Sequence, residues 1–133
     1  MDLIFDAQVL RHRRVDELPE PVLASIAGYY HRATTTSRPM SLLIALVMVI
    51  LLAALAFHAV RGGDPWWVTG VGALFACAPI VLALVRTVPN AVRLGNRVGT
   101  PAKQSRLARS ICRDHLFCMA SMSAFLVVWI ALA

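Results

Sequence analysis

The chain reads as an all-α protein, a polytopic membrane helix bundle of three transmembrane helices preceded by an amphipathic helix. Two features of its 133 residues lead there. Hydrophobic residues make up 59% and charged residues only 15%, where a soluble domain usually carries about a quarter charged. The apolar residues also lie in blocks rather than stripes, each close to the roughly 20 residues that a helix needs to cross a bilayer. Mean hydropathy is +0.69. The whole of 1–133 is expected to form one integral membrane domain.

SLLIALVMVILLAALAFHAV, Ser41 to Val60, is the clearest span. The link Arg61-Gly-Gly-Asp-Pro65 is long enough only for a tight turn, and Trp66 to Val85 follows as the second apolar block. Trp66 and Trp67 open that block at the depth where indole rings favour the interface. Pro89 lacks an N–H and disfavours helix in the residue before it, so this span is expected to end near Val88. Asn90 would then cap a new helical turn. Leu116 to Ala133 is the core of the third span, with Trp129 towards its far end. The spans therefore fall near 41–60, 66–88 and 111–133. Helix is the expected form, because backbone groups in hydrocarbon must be satisfied within each segment.

Charge is distributed unevenly. Residues 1–40 hold five arginines against five acids, and the Arg61–Asp64 link is neutral. Arg86 to Asp114 holds seven basic residues and one acid, so this segment alone supplies the net charge of +6. Basic residues gather in cytoplasmic loops because of how helices insert. That accounts for the basic balance without nucleic acid, which is not an expected partner. With three spans, the N-terminus and the basic 86–114 loop share one side, which is expected to be the cytoplasm of a multi-pass protein in the cell membrane. The bilayer is the expected partner, anionic headgroups attracting basic side chains near the surface.

Within 1–40, LPEPVLASIAGYYHRA reads as an amphipathic helix near 20–33, with Val22, Leu23, Ile26 and Tyr30 on one face. It would rest on the membrane surface or pack beneath the bundle. MDLIFDAQVL looks like the last turn of a span whose beginning lies upstream. Three spans leave a groove open along their length, so either a further apolar block upstream or oligomerisation through a partner membrane helix is expected. Gly72-x-x-x-Ala76 and Ala120-x-x-x-Ala124 are small-residue pairs suited to close helix approach.

The order of FDAQVL, a tyrosine-bearing helix, RPM before a span, VPNAVRLGN after the next, and RDH leading into SMSAFLV resembles a small four-helix integral membrane family of unknown function that includes anthrone oxygenase-like proteins. The resemblance covers nearly the whole chain. It implies a cofactor-independent oxygenase acting on an apolar aromatic substrate. Members tend to carry an arginine where Cys118 stands here. In this light His115 and Asn90 become the candidate catalytic residues, and Tyr29, Tyr30 and Pro89 candidates for the substrate pocket. A histidine at the membrane boundary titrates near neutral pH and suits abstraction of an acidic carbon-bound proton. His115 and Asn90 are expected to face one cavity. The competing reading makes His115 an interfacial histidine and Asn90 a cap.

Cys112-x-x-His115-x-x-Cys118 does not make a metal site on an unbroken helix. Its two sulfurs would stand about 9 Å apart along the axis, whereas zinc needs ligands at about 2.0 to 2.3 Å. Three cysteines without a CxxC give no disulfide framework, and neither a metal nor another cofactor is expected. The apolar blocks lack Asp, Glu, Lys and Arg, which disfavours an ion-coupled transporter. The remaining alternatives are a non-catalytic membrane module or complex subunit, and a carrier of lipids or small hydrophobes.

Overall fold

A computed structural model describes residues 3–36, 38–63 and 65–132, without the side chains of residues 3, 38–41 and 132. Its elements are α1 (Leu3–Arg11), α2 (Glu20–Thr35), α3 (Arg38–Arg61), α4 (Trp66–Leu82), a π-helical turn (Ala83–Thr87), α5 (Val88–Gly95) and α6 (Pro101–Leu132). No strand occurs among the described residues, so the chain is all-α as its sequence predicts.

Three helical stretches are long and apolar enough to cross a membrane: Leu42–Arg61, Trp66–Gly95 and Pro101–Ala131. The last two overrun their expected bounds. Helix does not stop near Val88 but continues through the π turn and α5 to Gly95. Likewise α6 starts at Pro101 rather than near residue 111, with Thr100 Oγ1 accepting the Lys103 N–H at 3.3 Å as a cap before the proline. The basic segment is thus mostly helix, and only 96–100 is a turn. Thirty-two residues of α6 extend about 48 Å at 1.5 Å per residue, against a hydrocarbon layer of about 30 Å. The helix is thus about 18 Å longer than a crossing needs, and its basic residues fall in its first half.

That first half and α5 fold with α1 and α2 into a packed head. Leu23 and Ile26 of α2, Leu94 of α5 and Ile111 of α6 are 0–1% exposed and share one core with Val9, Tyr30 and Ala108. α2 packs against α5 and α6 and buries Leu23, Ile26 and Tyr30 of the face that its spacing predicts, with Ala27 added and Val22 only partly buried. α1 lies against α6 through Val9 and Asp6. The α1–α2 connection is tied down by polar bonds. Ser105 Oγ accepts the Leu18 N–H at 3.0 Å, and the Arg109 guanidinium donates to the carbonyls of Val15 and Asp16.

The apolar part of the bundle packs more openly. Leu55, Ala76 and Phe125 form a small second core, flanked by Trp129. Gly72 faces α6, and a Cβ there would make ordinary contact with the Phe125 ring at 3.5 Å and with Trp129 at 3.6 Å. Most of α3 is exposed along its length, as apolar side chains facing lipid would be. His58 stacks edge-on against Trp129, ring centroids 5.2 Å apart, at the end of the bundle away from the head.

Candidate functional site

The π turn builds the most polar spot in the helical bundle. In an α-helix the Pro89 ring would press on the carbonyl four residues earlier and leave it unbonded. Here the Val88 N–H reaches back five residues to the Ala83 carbonyl, and the wider turn accommodates the proline. Pro89 therefore does not end the helix, and Asn90 is not its cap. The wider turn also rotates Arg86, Thr87 and Asn90 towards α6, where Ser110 and Asp114 stand one helical turn apart.

Asp114 is 4% exposed. Its Oδ2 accepts the Thr87 hydroxyl at 3.2 Å, and its Oδ1 lies 3.6 Å from Arg86 Nε. Ser110 Oγ accepts from Arg86 Nη2 at 3.1 Å and from Asn90 Nδ2 at 3.4 Å. Half of the Arg86 side chain remains exposed, leaving part of its donor fork free. The apolar blocks contain no charge, yet this ion pair sits at their margin. Sequence reading missed it by counting Arg86 and Asp114 as ends of a loop. The signal was Ser110-x-x-x-Asp114 opposite Arg86-Thr87-x-x-Asn90, two polar faces at helical spacing.

Beside this cluster an apolar cleft of about 800 Å³ runs between α4 and α6. Leu74, Ala78 and Val81 line it from α4, Val85 from the π turn and Phe117 from α6, and it closes on Arg86 and Asp114. Its long axis follows one face of α4, because these positions recur at three and four residues.

His115 lies on another side of α6. Its Nδ1 is 2.9 Å from Oδ2 of Asp6, itself 4% exposed. Asn90 bonds Ser110, and five residues of helix separate Ser110 from His115 by about 140° around the axis. Asn90 and His115 thus lie on different sides of α6, and neither lines the α4–α6 cleft or a second cleft beside α1. Tyr30 is buried in the head, Tyr29 stacks on Phe5 with centroids 4.5 Å apart, and neither they nor Pro89 line those clefts. Asp6, the partner of His115, was not singled out in the sequence. A lone acid in an apolar segment such as LIFDAQVL was the available hint.

Cys112 and Cys118 diverge as helix geometry requires. Cys112 Sγ lies 3.9 Å from the Asp6 carbonyl and Cys118 Sγ 3.9 Å from that of Pro79. No group of three metal-ligating side chains occurs among the described residues. No family model, curated protein or solved structure matches this chain. What the site does must therefore be argued from its own geometry.

Proposed function

We propose that the protein, lying in the cell membrane with its N-terminus and basic head on the cytoplasmic side, takes up from the bilayer an apolar molecule with one acidic group. The observation that carries this is the α4–α6 cleft, apolar along its length and closed at one end by Arg86 and Asp114, where the carboxylate is buried and the guanidinium is half-exposed beyond their pair. Apolar walls with one placed polar group are the usual design of a small-molecule site. The orientation follows from the concentration of basic residues in the head. Uptake of this kind serves a carrier of lipids or small hydrophobes.

The test uses protein in nanodiscs, a pyrene-labelled fatty acid and its methyl ester. The acid should bind about tenfold or more tightly than the ester, since a charge-assisted hydrogen bond contributes about 1.5 to 3 kcal/mol. Arg86→Gln should remove that difference while leaving ester binding in place. Equal binding of acid and ester by the unaltered protein would reject the reading. A detergent-solubilised dimer that binds neither probe would assign the cleft to a helix of a second copy.

The His115–Asp6 pair favours a second reading, the cofactor-independent oxygenase. A carboxylate on Nδ1 fixes the tautomer and orientation of the imidazole, leaving Nε2 as the base. Proton abstraction from an acidic ring carbon would give a carbanion that reacts directly with dioxygen. His115→Ala should then abolish oxygen uptake with an anthrone-type substrate and leave probe binding to the cleft unchanged. Uptake that persists in the variant would exclude His115 as base.

A further inference from the structure

The second cleft, of about 450 Å³, lies between the α1 segment and α6. Arg106, Arg109 and Arg113 present one face of α6 to it, three and four residues apart, and Arg13 faces them from beyond the end of α1. Among the described residues the side chains of Arg13, Arg106 and Arg113 make no hydrogen bond or ion pair. Arg109 spends its terminal nitrogens on the Val15 and Asp16 carbonyls, and its buried Nε has no acceptor. No carboxylate lines the cleft: Asp6 is turned to His115, and Asp16 and Glu17 are exposed outside it.

Four cations gathered without a counter-charge repel one another, and an anion among them would relieve that. The remaining lining is apolar apart from the Cys112 thiol, which lies against the Asp6 carbonyl. Val9 and Leu10 of α1 and Leu116 of α6 continue the cleft away from the arginines. Arg113 is the last charge but one of α6, and from Leu116 to its end at Leu132 the helix is mostly apolar and carries no charge. The cationic end thus lies at headgroup depth and the apolar end at the hydrocarbon. A free phosphate would use only the first, whereas a phospholipid uses both.

We propose that this cleft binds an anionic phospholipid, its phosphate held by Arg13, Arg106 and Arg113 and an acyl chain lying along Leu10 and Leu116. The site is separate from the α4–α6 cleft and does not depend on its reading. Basic clefts beside membrane helices are suited to such headgroups.

The test is retention of lipid by the protein purified from mixed micelles containing phosphatidylglycerol or phosphatidylcholine, read by native mass spectrometry. The unaltered protein should retain phosphatidylglycerol selectively. Each basic side chain near an anionic headgroup contributes roughly fivefold in affinity, so Arg13→Gln/Arg106→Gln/Arg113→Gln should weaken retention on the order of a hundredfold. All three arginines are exposed, so folding should survive, checked by circular dichroism. The control Arg14→Gln/Arg32→Gln/Arg93→Gln removes equal charge from exposed positions outside the cleft and should retain the lipid. Equal loss in the control would reduce the effect to net charge and overturn the site, as would retention by the first variant. Displacement of the lipid by millimolar inorganic phosphate would overturn the lipid in favour of the free anion.

Discussion

Gly95→Ala is expected to destabilise the protein by about 2 kcal/mol, and Gly28→Ala to stabilise it by about 0.5 to 1 kcal/mol. Alanine is the better helix former in both places, by up to about 1 kcal/mol. The difference lies in what the added methyl meets. At Gly28 it would touch only the end of the Arg32 side chain, at 3.7 Å. At Gly95 it would lie 2.8 Å from the His31 backbone nitrogen, 3.0 Å from His31 Cα and 3.1 Å from the Tyr30 carbonyl carbon. Backbone cannot rotate away, so α5 must lift off α2. That crossing holds Leu94 against Leu23 and Ile26, which are all but wholly buried. Overpacking of this kind typically costs about 1 to 3 kcal/mol, and here it outweighs propensity. Gly95→Leu should prevent the native head from forming. Unfolding of the three variants in detergent would measure the signs, and a stabilising Gly95→Ala would remove the crossing from the account.

Much of this architecture was legible because membrane helices announce themselves by block composition. The face of α2 was legible because Leu23, Ile26 and Tyr30 keep a helical period. The head was not. Its core is assembled from four stretches far apart in the sequence: Val9, Leu23, Leu94 and Ile111 come together only through the packing of α1, α2, α5 and α6. The small-residue pairs noticed in the spans had a third member, Ala91-x-x-x-Gly95. It went unnoticed because it lies beyond the expected end of the second span near Val88.

Pro89 hid the polar cluster. A helix ending near Val88 puts Arg86 in its last turn and Asn90 beyond it, at the mouth of a loop where charge is ordinary and needs no partner. A helix that passes Pro89 through a π turn makes them two positions on one wall, opposite Ser110 and Asp114. His115 was legible as a residue to notice, but not its company. Nothing in the spacing of α6 tells that Asp6, over a hundred residues earlier, will meet it.

Arg86→Leu should cost about 3 kcal/mol, Asp114→Leu about 1 kcal/mol, and the double variant no more than about 1 kcal/mol. The inequality follows from burial. Asp114 has 5% of its side chain exposed, Arg86 half. Without Arg86 the carboxylate keeps only the Thr87 hydroxyl, and a buried charge deprived of its partner is worth several kcal/mol of destabilisation, about 3 to 5 in well-buried pairs. Without Asp114 the guanidinium still donates to Ser110 and its exposed half turns to water or headgroups, as screened surface ions do. Replacing both by leucine removes desolvation together with attraction, which is often close to neutral, and extends the apolar walls of the cleft. The coupling between the two changes should therefore be about 3 kcal/mol. Unfolding the wild type, both single variants and the double variant in the same micelles gives it directly. Additive single effects, or a larger loss at Asp114 than at Arg86, would mean that the pair is incidental and that its carboxylate is not confined at the head of the cleft.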